Sequence, residues 1–177
     1  MPSIIETERL LLRPWAEADA EVYHDLWAER DPRSVRVIDV DGKPTVGDLR
    51  ERIRASLSKP SPTGLRLLAI QRLADEDFIG YCGLIYRETT PREPEIAYEL
   101  LQYARGLGYA TEAAGAVRDT ARTIGRPRLW AGVRSWNAAS FRVLDKIGFT
   151  TSGQVDEDPS HGDMVWMTCG LQPATAE

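Results

Sequence analysis

A chain of 177 residues has room for one domain with a sizeable core. Its 22 lysines and arginines against 27 aspartates and glutamates leave a net charge of −5, without the basic surplus that nucleic-acid binding demands. No apolar run approaches the ~20 residues of a membrane span, the N-terminus lacks the form of a secretory signal, and Cys82 and Cys169 stand apart in apolar runs with no zinc-type spacing.

In chain order, Arg9 to Trp15 predicts a short strand stopped by Pro14. Asp19 to Glu29 carries Val22, Tyr23, Leu26 and Trp27 at helical spacing. Asp31 to Pro44 reads as a loop, and Thr45 with Asp48 marks the start of a second helix. After the break "KPSPTG" come two apolar strands, "LRLLAIQRL" and "FIGYCGLIY", joined by "ADED" as a hairpin. "EIAYELL" is a further strand. A helix from about Gly108 to Ile124 shows one apolar stripe of Ala110, Ala113, Ala114, Val117, Ala121 and Ile124. "RLWAGVR" is a strand with Leu129, Ala131 and Val133 on one face, and Asn137 to Ile147 is a helix ended by Gly148. "FTTSGQV" and "MVWMTCGL" form a closing hairpin, and "PATAE" is a disordered end. Strands mixed with helices in this order predict a layered α/β or α+β domain on a mixed sheet.

The stretch "RGLGYATEA" places two glycines directly before the alanine-rich helix. A P-loop needs Lys and Ser or Thr after its second glycine, where Tyr109 and Ala110 stand. A dinucleotide fingerprint needs a small residue where Thr111 stands, and an acidic residue after the strand ending near Arg134. What remains is a bare helix N-terminus with clear backbone donors, itself a site for anions, or a glycine turn that only starts a packed helix.

These residues resemble a known family. Arg105-Gly106-Leu107-Gly108-Tyr109-Ala110 is similar to the Arg/Gln-x-x-Gly-x-Gly/Ala loop of GNAT-superfamily N-acetyltransferases, which binds the pyrophosphate of acetyl-CoA. "TERLLLRPW" resembles the opening strand of the RimJ/RimL-like branch, the ribosomal-protein N-terminal acetyltransferases. "FIGYCGL" and "EIAYELL" resemble the family's third and fourth strands, and Asn137 to Phe149 its Asn-x-x-Ser helix ending in Lys-x-Gly-Phe. The resemblance runs from about Thr7 to Leu171. It implies one acetyltransferase domain over residues 1–177, with an ordered core from about 7 to 171. The implied fold is a GNAT-type α/β (α+β) one: a mixed, mostly antiparallel seven-stranded sheet, about four helices on its faces, and central strands splayed for CoA.

The resemblance also implies a site. Arg105, Gly106, Leu107, Gly108, Tyr109, Ala110 and Thr111 would hold the pyrophosphate. The backbone at Leu100 and Leu101 would hold the pantetheine arm and face the acetyl carbonyl. Asn137 would bond the arm, or serve only as a helix N-cap. Many relatives carry a proton-donating tyrosine where Leu144 stands here. Ser140, four residues earlier on the same helical face, is then the candidate donor to the departing thiolate, or a small packing residue. Glu99 is the candidate base through water. Glu95 shares its strand face and reads as a possible solvated charge. His24 and His161 occupy no family catalytic position. The carboxylates of "DEDPSHGD", namely Asp156, Glu157, Asp158 and Asp163, would border the acceptor channel or form a solvated turn.

With no strong base evident, an acceptor of modest basicity is expected. At pH 7 an α-amine of pKa ~7.7–8.0 loses about 1–1.4 kcal/mol to protonation, and a lysine at ~10.4 about 4.6. The expected protein is a cytoplasmic acetyl-CoA-dependent enzyme acting on a peptide or protein N-terminus or on a small amine. It would be a monomer or homodimer, with no metal and no nucleic-acid or membrane partner. A non-catalytic acyl-CoA sensor and a nucleotide- or partner-binding module are the rivals.

Overall fold

A computed structural model describes residues 1–34, 44–58 and 63–171. The expected disorder of "PATAE", most of the Asp31–Pro44 loop and much of "KPSPTG" fall outside the described residues. Among the described residues eight strands form one sheet in the order β1-β2-β3-β4-β5-β6-β8-β7. They are β1 (Ile5–Glu6), β2 (Leu10–Arg13), β3 (Leu67–Arg72), β4 (Phe78–Ile85), β5 (Glu95–Leu100), β6 (Arg128–Arg134), β7 (Thr150–Asp156) and β8 (Met164–Gly170). The helices are α1 (Ala20–Ala28), α2 (Val46–Ser58), α3 (Tyr109–Thr123) and α4 (Ala138–Lys146). This is the expected mixed fold with one strand more than seven. The addition is the two-residue β1, which pairs with β2 and is too short to show a period.

Local chemistry sets these boundaries. Thr45 and Asp48 form a reciprocal cap at the start of α2: Thr45 N–H donates to Asp48 Oδ2 at 2.7 Å and Asp48 N–H to Thr45 Oγ1 at 3.1 Å. Gly148 ends α4 in the left-handed region at φ 84°. In α3, Ala113, Ala114, Val117 and Ala121 are buried as the stripe predicts, whereas Ile124 lies past the last turn and is 38 % exposed. The main core joins that stripe to Leu68, Ile70, Leu84, Leu129 and Leu144. Burying each such leucine contributes roughly 1.5–3 kcal/mol. Cys82 and Cys169 are buried there as free thiols.

The feature that positions the site is the seam between β5 and β6. Every other pairing among the described strands is antiparallel; this one is parallel and is held at its base, where Glu95 lies opposite Trp130. There the Trp130 N–H donates to the Pro94 carbonyl at 2.9 Å. Further along, the Leu101 N–H donates to Ile79 on β4 at 3.0 Å. Strand alternation then turns the backbone edge of Leu100, and of Tyr98 before it, toward β6. The two strands part toward their C-terminal ends and leave that edge open. No described helix is long and apolar enough to cross a membrane.

Candidate active site

A groove of about 800 Å³ passes through the β5–β6 opening and reaches both faces of the sheet. Alternate side chains of β5 divide it. Tyr98 faces α4, where its hydroxyl donates to the Ser140 carbonyl at 3.2 Å. Glu99 faces the opposite side, where it meets Arg30, two residues past the end of α1.

On the first face, the loop Arg105–Gly108 leads into α3. Gly106 and Gly108 both adopt left-handed conformations, at φ 78° and 88°. Gly106 lines the groove, and a Cβ on it would meet no protein atom within 4 Å. The first α3 amide with a helical acceptor is that of Glu112, on the Gly108 carbonyl at 3.0 Å. The amides of Tyr109, Ala110 and Thr111 precede it and find no acceptor within the helix, as at any helix start. Arg105 Nε donates to the Leu100 carbonyl at 2.9 Å, tying the loop to the end of β5, and the residue lines the groove. Arg142 and Lys146, one turn apart on α4, line the same end. Their i, i+4 spacing within the predicted Asn137–Ile147 helix is the sequence signal that marks them. The result is a cationic mouth around bare N–H groups, which fits a pyrophosphate.

Two predicted contacts fall elsewhere. Leu101 does not reach the groove: its N–H is bonded to Ile79, its carbonyl accepts from Ala104 N–H at 3.0 Å, and its side chain packs with Leu26, Ala69 and Phe78. Leu107 is exposed, with its carbonyl held by Arg9 Nη1 at 3.1 Å. Leu100, Arg105, Gly106, Gly108, Tyr109, Ala110, Thr111, Asn137 and Ser140 all line the groove. Asn137 is the N-cap of α4, its Oδ1 accepting from the Ser140 N–H at 3.1 Å, which leaves its NH₂ as the donor it can offer a ligand. Leu144 is 1 % exposed, sealed in the main core and absent from the groove wall.

On the second face, Glu99 is fully engaged. Arg30 Nε donates to Oε1 at 2.8 Å and Nη2 to Oε2 at 2.5 Å, and the Tyr81 hydroxyl donates to Oε2 at 2.9 Å. Burial works against the Arg30 charge, but the bond and the charge of Glu99 outweigh it and raise its pKa. Burial, followed by the neighbouring carboxylate, pushes Tyr81 up and keeps it neutral. Asp31 also has its arginine: the side-chain bond from Arg33, at 2.7 Å, leads the causes that lower it to about 2. The Arg33 guanidinium lies over the Trp136 ring at 4.3 Å, and Trp136 Nε1 is fixed on the His161 carbonyl at 2.8 Å. Both groove carboxylates on this face therefore carry an arginine.

Other expectations are corrected here. Glu95 is no solvated charge: it is 8 % exposed and accepts from the Arg87 and Glu88 amides, at 2.9 and 3.2 Å, to shape the β4–β5 loop. None of Asp156, Glu157, Asp158 and Asp163 lines the groove. Asp158 binds Arg134 at 2.9 Å and the His161 amide at 3.1 Å, Asp163 accepts from the Asp158 amide at 3.1 Å, and Asp156 holds Trp166 Nε1 at 2.5 Å beside a separate hollow. His24 and His161 do not line the groove either.

The loop is braced by residues that sequence reading did not find. Thr7 Oγ1 donates to Glu112 Oε1 at 2.6 Å, and the Arg9 amide donates to the same oxygen at 2.9 Å. Arg9 Nε reaches Oε2 at 2.7 Å. Partial burial opposes the Glu112 charge, and the bonds from Thr7 and Arg9 override it, lowering its pKa. A depressed carboxyl contributes stability in full above its unfolded pKa, ~4.3, and loses it as pH falls through the folded value. The melting temperature of wild type should therefore exceed that of Glu112→Gln above about pH 5, and the gap should narrow as pH falls below about 4. A gap that does not change with pH would show that the Glu112 charge contributes nothing.

A splayed parallel pair thus stands beside a glycine-led helix start in a mixed α/β sheet, and sequence comparison gives the family. Residues 9–150 match the acetyltransferase (GNAT) domain. An acetyltransferase of Agrobacterium tumefaciens str. C58 is 32 % identical, superposes with a TM-score of 0.71 and matches over 94 % of each chain. RimL, a ribosomal-protein α-N-acetyltransferase solved with coenzyme A, shares the fold at a TM-score of 0.75 and 18 % identity, over 95 % of this chain and 98 % of its own. A spermidine N-acetyltransferase of Vibrio cholerae, SpeG, does so at 0.73 and 19 %, over 93 % and 95 %. The chain belongs to the GNAT acetyltransferase family. It is an acetyltransferase enzyme of that type.

Proposed function

We propose that this enzyme moves an acetyl group from acetyl-CoA to a primary amine, namely the α-amine of a peptide or protein N-terminus, as a member of the RimJ/RimL-like branch. Acetyl-CoA supplies the activated thioester. The amides at Tyr109–Thr111 and the cations Arg105, Arg142 and Lys146 hold its pyrophosphate, and the open edge of Tyr98 and Leu100 pairs with the pantetheine arm as an added strand would. The Leu100 N–H is the donor for the carbonyl oxygen as charge builds on it. Ser140 and Tyr98 are the hydroxyls beside the departing sulfur.

The observation that carries the choice of acceptor is the pairing of Glu99 with Arg30 and of Asp31 with Arg33. Neither carboxylate is free to attract a polycation. Glu99 accepts donors on both oxygens, so its place in the reaction is to orient a water beside the amine, through which the proton released on attack passes to bulk solvent. The acceptor must then arrive neutral by its own pKa, which favours an α-amine over a lysine or an alkyl amine by roughly 3 kcal/mol at pH 7. Acetyl transfer to a short peptide with a free α-amine, to the same peptide with a blocked α-amine and an internal lysine, and to spermidine tests this. The free α-amine should give the highest kcat/KM. Preference for spermidine would favour the small-amine reading. Acetyl-CoA binding without transfer to any amine would make the chain a sensor.

A further inference from the structure

We infer that Arg9, at the entry to β2, is a positioning residue for the cofactor: it holds the glycine loop in its anion-receiving form and neutralises Glu112 beside it. This rests on the reading of the Arg105–Thr111 loop as the pyrophosphate seat. Arg9 is remote in sequence but meets the loop and the first turn of α3 at three points. Its Nη1 donates to the Leu107 carbonyl at 3.1 Å, between the two glycines. Its Nε and Nη2 fork onto Glu112 Oε2 at 2.7 and 2.6 Å. Its guanidinium lies 4.6 Å from the centroid of the Tyr109 ring. A Cβ on Gly108 would stand 3.3 Å from Arg9 Nη2, so the side chain fills the space next to the second glycine.

Two physical needs meet at this point. Residues 105–108 include two left-handed glycines, the most permissive backbone available, and such a loop needs an external tie to keep its amides converged. Glu112 sits in the first turn of α3, where a carboxylate suits the helix dipole but repels a neighbouring anion. Arg9 answers both, because one guanidinium fixes the Leu107 carbonyl and cancels the Glu112 charge. The fork geometry requires arginine; lysine offers a point charge and cannot make the three contacts together. The Arg9 side chain remains 45 % exposed, so the ion pair alone is screened and the geometric tie carries much of the effect.

The test compares acetyl-CoA with acetyl-pantetheine, which carries the same thioester and lacks the pyrophosphate. In Arg9→Gln the KM for acetyl-CoA should rise at least tenfold while kcat/KM for acetyl-pantetheine stays within twofold. Adding Glu112→Gln should recover part of the acetyl-CoA loss, because the uncompensated carboxylate is then gone. Arg9→Lys should fall between wild type and Arg9→Gln. A folded Arg9→Gln enzyme with an unchanged KM for acetyl-CoA would overturn the inference, as would equal losses with both donors, which mark general destabilisation. If wild type shows no preference for acetyl-CoA over acetyl-pantetheine, the pyrophosphate seat itself is misassigned and the inference falls with it.

Discussion

Gly106→Asn is expected to weaken acetyl-CoA binding at least tenfold, or about 1.4 kcal/mol, in a protein that still folds. Gly106 has φ 78° and no protein atom within 4 Å of a would-be Cβ. Gly106 lines the groove, and a side chain there is expected to crowd a ligand that approaches the loop. Asparagine tolerates the left-handed region far better than other residues with a Cβ, so its effect reports space rather than backbone strain. Gly108→Val should lose more. Its φ of 88° forces a branched residue into a conformation costing about 1–2 kcal/mol, and the new Cβ presses on Arg9 Nη2 at 3.3 Å. That variant combines strain, a displaced brace and a blocked seat, and its melting temperature should fall as well. Calorimetric titration of both variants with acetyl-CoA separates the effects. A folded Gly106→Asn protein with wild-type affinity would remove the loop from the cofactor site.

The contrast between these glycines shows what could be read from the chain. Their placement before an alanine stripe marks a helix start with free amides, and the burial of Ala113, Ala114, Val117 and Ala121 bears that stripe out. Local spacing carried this because every interaction lies within a few residues. The order of elements and the capped start of α2 were legible for the same reason. The braces were not. Arg9 and Glu112 are 103 residues apart, and Arg30 and Glu99 are 69 apart. No periodicity links such partners, and a charged residue destined for an ion pair looks like any solvated charge. The acidic loop failed in the same way: four carboxylates close in sequence suggested a field, yet Asp158, Asp163 and Asp156 turn onto Arg134, local amides and Trp166. Leu101 was misplaced by one step of strand alternation, enough to turn its amide from the opening to β4.

Ser140→Ala is expected to lower kcat by roughly 10–100-fold, about 1.4–2.7 kcal/mol, with little change in acetyl-CoA affinity. Ser140 lies on the groove wall in the first turn of α4, its backbone fixed by the Asn137 cap and its hydroxyl left for a ligand. A leaving thiolate is stabilised by a positioned donor, and Leu144, where the family resemblance would place a tyrosine, is 1 % exposed in the core. Leu144→Tyr should therefore not restore the rate, because the larger side chain would overpack that core by an expected 1–3 kcal/mol before reaching the sulfur. The structure adds a second hydroxyl. Tyr98 donates to the Ser140 carbonyl at 3.2 Å, and burial raises its pKa above that of a free tyrosine, so it stays protonated across the working pH range. A phenol so placed can turn from that carbonyl to the sulfur as charge develops there. Tyr98→Phe measures its share, and the double variant measures whether the two hydroxyls act as a unit: a double loss no larger than the greater single loss means one relay, whereas multiplying losses mean two independent donors. Wild-type kcat in Ser140→Ala with a large loss in Tyr98→Phe would assign the donor to Tyr98. Wild-type kcat in both would mean that neither hydroxyl assists and that the sulfur leaves to solvent at the open end of the groove.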